Sequence, residues 1–100
     1  MPLLFDWDFA NRAHVAEHDV RPEEAEQVIN NSPFDLEYQL RNDESRTVQL
    51  GETDAGRVLV VVTTWRGRKI RVVTAFPANR KLRKLYERLK AQDEAEGSTS

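Results

Sequence analysis

The run Val58-Leu59-Val60-Val61-Val62 constrains the fold more than any other stretch: five consecutive apolar residues, four of them β-branched. Such side chains suit a pleated backbone and lose rotamer freedom in a helix. A strand with no polar alternation has no face for water, so it must be central and covered on both sides. Its neighbours follow from turn chemistry. Thr53-Asp54-Ala55-Gly56 joins residues 46–51 and 57–65 as a hairpin, and Arg66-Gly67-Arg68 turns the chain into a last strand over residues 69–75. Pro77 ends that strand because it has no N–H for a ladder. Upstream, Leu36, Tyr38 and Leu40 alternate on one face of a further strand, closed by the turn Arg41-Asn42-Asp43-Glu44.

Helical spacing flanks these strands. Residues 3–5 read as a short strand, after which Asp6 or Asp8 can cap a helix carrying Phe9, Ala10, Ala13, Val15 and Ala16 and ending near His18-Asp19. Arg21-Pro22-Glu23-Glu24 starts a second helix, with proline in the first turn and acids at the positive end of the dipole. Ala25, Val28 and Ile29 form its buried stripe, and Asn30-Asn31-Ser32-Pro33 stops it. Asn79 caps a third helix with Leu82, Leu85, Tyr86 and Leu89 on one side. The order predicts an α+β single domain: a small, mainly antiparallel sheet flanked by two N-terminal helices and one C-terminal helix. Residues 1–92 form the domain, and residues 93–100 read as a flexible acidic tail.

Charge is divided along the chain. Ten of the fifteen Lys and Arg residues lie between Arg66 and Lys90, with Glu87 the single acid there. Residues 1–65 hold five Arg against thirteen Asp and Glu. This asymmetry is that of a polyanion-binding surface, or of a basic face whose charges pair with the acidic half on folding. No apolar run is long enough to span a bilayer, the N-terminus lacks a signal-peptide layout, and there is no cysteine. These features point to a soluble cytoplasmic protein without a disulfide framework or Cys-type metal site.

Three places could carry chemistry. Arg80, Lys81, Arg83 and Lys84 crowd the start of the third helix, where free N–H groups already attract anions. The turn Trp65-Arg66-Gly67-Arg68-Lys69 joins an aromatic ring to cations, the combination that stacks on bases and neutralises a single-stranded backbone. The same charges would equally protect an exposed sheet edge. Arg71 shares a strand face with Lys69 and Val73. His14 and His18 lie four apart without the acidic companions of a metal motif; His14 reads as a surface residue and His18 as a candidate general acid or base. No nucleotide-binding or serine-hydrolase motif is present.

Several pieces in order resemble the BrnT family of bacterial type II toxins. They are Phe5-Asp-Trp-Asp8 with Ala10-Asn11, His18 with Val20, and Glu23-Glu24-Ala25. Then come Arg46, Gly51-Glu-Thr, Gly56-Arg57-Val-Leu-Val-Val-Val62, Arg71-Val-Val-Thr-Ala75, Ala78-Asn79-Arg80 and Tyr86-Glu87. The resemblance implies a RelE-like fold and a cofactor-free, metal-independent endoribonuclease that inhibits translation. It also implies a cognate DNA-binding antitoxin, of ribbon-helix-helix type, with operator DNA reached only through that partner and no membrane involvement. The chain departs from the family pattern at Glu17-His18-Asp19, in place of Lys-His-Gly, and at Thr74-Ala75-Phe76-Pro77-Ala78, in place of Ser-Ala-Arg-Lys-Ala.

With the basic cluster, the resemblance assigns His18, Arg71 and Arg80 to catalysis, the two arginines on the phosphate and His18 as acid or base. Tyr86 stands behind His18 because its place in the apolar stripe makes it core. Arg46, Trp65, Arg66, Arg68, Lys69, Lys81 and Lys84 are assigned to RNA binding. Two alternatives stay open: a degenerate toxin that only holds an antitoxin, and a nucleic-acid-binding regulator.

Overall fold

Asp8 starts helix α1 (Phe9–Glu17) through a reciprocal cap. Its carboxylate accepts the Asn11 amide N–H at 3.1 Å, and the Asn11 side chain accepts the Asp8 N–H at 2.7 Å. Helix α2 (Pro22–Asn30) follows, with Glu24 Oε1 accepting the Arg21 N–H at 3.0 Å. Four antiparallel strands come next in simple meander order: β1 (Phe34–Arg41), β2 (Glu44–Glu52), β3 (Val58–Arg66) and β4 (Lys69–Pro77). Helix α3 (Arg80–Ser98) closes the chain. The computed structural model describes residues 2–98. This is the α+β, RelE-like architecture expected from the sequence.

Strand β3 lies between β2 and β4 and is covered on both sides. Leu59 and Val61 pack with Val15, Val20, Ala25, Val28, Val72 and Ala75 beneath α1 and α2. Val60 packs with Leu50, Ala78 and Tyr86 beneath α3, which presents Leu82, Leu85 and Tyr86 inward. Tyr86 also meets the Phe34 ring edge-on at 5.7 Å and donates its hydroxyl hydrogen to Glu52 at 3.0 Å. Gly51 makes room for α2 on the other face: a Cβ there would sit 3.0 Å from both Pro33 Cβ and Val28 Cγ1.

Three details differ from the sequence reading. Residues 3–5 form a single parallel bridge, Phe5 to Ile70, held by Ile70 N–H to Leu4 O and Asp6 N–H to Ile70 O, both 2.8 Å. The segment is too short for a ladder, yet it covers part of the free edge of β4. Leu36, Tyr38 and Leu40 do not share a face. A bulge between Asp35 and Glu37 turns Leu36 into the α3-side cluster and leaves Tyr38 and Leu40 74% and 72% exposed. Finally, helix α3 runs through the acidic segment after Ala91 to Ser98; the last two residues of the expected tail lie outside the described residues.

Candidate nucleic-acid interface

Strand register grades the α3-side face of the sheet from apolar to charged. Phe34, Leu50, Val60 and Phe76 form one cross-strand row beneath α3. Val48, Val62 and Thr74 form the next. Beyond it Arg46 pairs with Gln39 and Arg71 with Thr64, while Ser45 O accepts the Thr64 hydroxyl hydrogen at 2.7 Å and ties the strands between them. At the far end Glu44 faces Arg66 across the sheet at 3.3 Å, and Arg66 pairs with Lys69.

This charged end is a hollow of about 500 Å³. Glu44 and Arg46 enter from β2, Arg66 from β3, Arg71, Val73 and Thr74 from β4, and Asn11 and His14 from α1. A second bulge, between Val62 and Thr63, leaves Val73 without a cross-strand partner. Asn11 secures the α1 wall: it is 2% exposed, and its amide donates to Asp6 O at 2.9 Å and Val72 O at 3.1 Å. Arg46 and Arg71 stand two strands apart on one face, about 10 Å between backbones at ordinary strand spacing. Two guanidinium side chains can close on one phosphate from that separation.

Each arginine of the hollow already has an acid. Arg71, 15% exposed, approaches Asp8 at 3.0 Å and Asp6 at 3.5 Å. The Arg71 hydrogen bond, helped by the Asn11 amide, holds the Asp8 carboxyl below its ordinary value, and the Asp8 bond in turn strengthens the Arg71 cation. Glu44 accepts from both Arg46, at 3.2 Å, and Arg66, at 3.3 Å. The acidic half of the chain therefore neutralises the three arginines of the hollow. It does not reach the start of α3, where Arg80, Lys81, Arg83 and Lys84 are at least partly exposed and form no ion pair among the described residues. Lys90, further along, is bound to Glu52 at 2.7 Å.

The structure thus brings Arg46, Arg66 and Arg71 together and sets the other expected site residues elsewhere. His18 caps α1 and stands 5.9 Å, ring to ring, from Phe76. Arg80 begins α3, beyond Pro77. Between Arg71 and Pro77 the strand advances about 20 Å at ~3.3 Å per residue. Trp65 is 64% exposed and lines a separate hollow with Leu3, Ile29 and Ile70 on the opposite face from Arg71. Arg68 and Lys69 sit exposed at the β3–β4 turn, and Lys81 and Lys84 lie on the outer side of α3 with Glu87 and Arg88. Tyr86 is 8% exposed and belongs to the core.

Sequence reasoning passed over Asp6 and Asp8 except as caps, Glu44 except as a turn residue, and His14 except as surface. One signal was available: His14 follows Asn11 by three residues, so both share one side of α1. Among the described residues no group of three or more His, Asp or Glu is placed to hold a metal ion, and no helix is long and apolar enough to cross a membrane.

No curated protein sequence matches this chain. A family model does, over residues 7–81, and its description is a ribonuclease toxin, BrnT, of a type II toxin-antitoxin system. That span includes α1, α2, the whole sheet and every residue of the charged hollow. The chain belongs to the BrnT toxin family.

Proposed function

We propose that this protein is the toxin of a type II toxin–antitoxin pair and acts as a metal-independent endoribonuclease that inhibits translation. The observation that carries the reading is the convergence of Arg46, Arg66 and Arg71 at the end of the sheet that α3 leaves open. Cleavage of RNA without a metal requires the 2′-hydroxyl to attack its own phosphodiester while positive charge stabilises the phosphorane oxygens. Three fixed guanidinium groups supply that charge, and planar forks suit phosphate geometry.

The distance along β4 divides the sequence-assigned residues into two groups. Arg71 serves the scissile phosphate with Arg46 and Arg66. Arg80, Lys81 and Lys84 bind phosphates further along the same strand, with His18 beside Phe76 on the stretch between. Arg68 and Lys69 hold the strand at its other end. The partner is a cognate antitoxin of ribbon-helix-helix type, through which operator DNA is reached.

The test is RNA degradation by purified protein in EDTA. Wild type cleaves, and the Arg71→Ala/Arg80→Ala double variant does not; equal rates would sink the reading.

A second reading has its own support, because Asp6, Asp8 and Glu44 already neutralise the hollow. On that reading the protein is a non-catalytic module that holds an antitoxin. It predicts tight partner binding, no RNA cleavage, and normal growth when the gene is induced alone. A catalytic toxin instead arrests growth, and co-expression of the neighbouring gene relieves the arrest.

A further inference from the structure

We infer that Glu44 and His14 form the acid–base pair of this site, Glu44 as general base and His14 as general acid. The inference rests on the ribonuclease reading and names the groups that move its protons.

In-line displacement at phosphorus sets the entering 2′-oxygen and the leaving 5′-oxygen on opposite sides. The base and the acid must then stand on opposite walls of the site, with the phosphate clamp between them. The hollow has that arrangement. Glu44 lines it from β2 and His14 from α1, which packs on β4; Arg66 on β3 and Arg71 on β4 lie between. Glu44 is the carboxylate that lines the hollow and His14 the imidazole. His18 is not part of that wall; its ring is against Phe76.

The charged groups facing the pair fit their roles. Glu44 is held by Arg46 and Arg66. A phosphate that takes over those guanidinium groups releases the carboxylate where the 2′-hydroxyl arrives. His14 faces Arg71, Arg66 and Arg46, with Glu44 across the hollow and His18 one turn along α1. Arg71 is itself occupied by Asp8 and Asp6.

The step balances. The 2′-oxygen gives its proton to Glu44 and bonds to phosphorus; the bond from phosphorus to the 5′-oxygen breaks; that oxygen takes the proton from His14. The products are a 2′,3′-cyclic phosphate and a 5′-hydroxyl. Proton exchange with water restores both side chains.

The experiment is the pH–rate profile of RNA cleavage in EDTA for wild type, His14→Gln, Glu44→Gln and Glu44→Asp, with circular dichroism and melting temperature measured on each. His14 is exposed, so its replacement leaves the core intact. Wild type gives a bell. His14→Gln lowers kcat at least ~100-fold and loses the alkaline limb, while Glu44→Gln lowers it similarly and loses the acid limb. Glu44→Asp keeps both limbs at a reduced rate. KM stays within about threefold for folded variants, since the arginines still bind phosphate. The pair is overturned if wild type cleaves and His14→Gln keeps both limbs at near wild-type rate, or if His18→Gln is the variant that loses the alkaline limb; the ribonuclease reading then stands. No cleavage by wild type overturns both.

Discussion

The Arg71 guanidinium lies 3.0 Å from the Asp8 carboxylate across 63 positions of sequence, joining the centre of the hollow to the cap of α1. One acid therefore performs two tasks. It accepts the Asn11 amide that starts the helix, and it holds Arg71 in place. On the proposed function, RNA competes with that carboxylate for the same cation.

The two tasks separate by substitution. Asp8→Asn keeps a side-chain oxygen for the cap and removes the charge, whereas Asp8→Ala removes both. Thermal melting orders the proteins as wild type and Asp8→Asn above Asp8→Ala. In filter binding, Asp8→Asn holds RNA more tightly than wild type because Arg71 is no longer neutralised. Weaker RNA binding by Asp8→Asn would show that the acid orients Arg71 more than it competes.

Salt dependence counts the phosphates engaged. The slope of log affinity against log salt for single-stranded nucleic acid is about −0.7 per neutralised phosphate. Replacing Arg71 by Gln makes that slope shallower by about 0.7 in an RNA titration, and Lys84→Gln on α3 does the same if RNA extends along the helix. An unchanged slope for Arg71→Gln places RNA elsewhere.

Stability at acid pH follows from three carboxylates held below their ordinary values. Asp8, ordinarily 3.8, is held down first by Arg71 and then by the Asn11 amide. Burial pushes Glu24 up from 4.5, but the Arg21 amide and Arg57 outweigh it and leave it lowered. Glu52, also ordinarily 4.5, is lowered by Lys90 and then Tyr86. The unfolded chain therefore takes up these protons first. The contribution is complete above the unfolded values and is lost as pH falls through the folded ones. Melting temperature stays level down to about pH 5 and drops steeply below about pH 4. Glu24→Gln makes the drop shallower and lowers the neutral plateau; an unaltered drop would remove Glu24 from the account.

Asp19 adopts φ 58°, a left-handed conformation that a side chain disfavours. Asp19→Gly relieves about 1 kcal/mol of backbone strain and raises the denaturant midpoint without changing the slope of the transition. The Arg57 contact is preserved, because Arg57 binds the Asp19 carbonyl at 2.8 Å rather than its carboxylate. A lower midpoint would mean that the side chain makes a compensating interaction.

Core and surface leucines should differ sharply. Leu59 is fully buried under α1 and α2, so Leu59→Ala costs about 2–5 kcal/mol through lost burial and the cavity it leaves. Leu40 is 72% exposed beyond the β1 bulge, and Leu40→Ser changes stability by roughly half a kcal/mol or less. Urea melts measure both. A large effect at Leu40 would require a partner on that face.

Much of the fold could be read from local pattern. The Val58–Val62 run marked the central strand, proline and the acids after it marked α2, and Asn79 marked α3, whose first free amides it caps through Leu82 N–H at 2.9 Å. Each of these signals acts within a turn or a strand, so neighbouring residues suffice to reveal it. The face assignments on β1 failed at Leu36, because one bulged residue reverses the alternation and leaves no compositional mark.

The site divides in the same way. Sequence alone determined that the second half of the chain is basic and that Arg71 lies on the strand that precedes a cation-rich helix start. Tertiary structure decided which of those cations are neutralised: Asp6 and Asp8 reach Arg71, Glu44 reaches Arg46 and Arg66, and among the described residues Arg80 and Lys81 form no ion pair. It also set His14, rather than His18, on the wall of the hollow. Charge composition is a property of the chain, whereas an ion pair depends on strand register, a bulge at Val73 and the docking of α1 on β4. Those are long-range relations, fixed only when apolar burial has brought the two halves of the chain together.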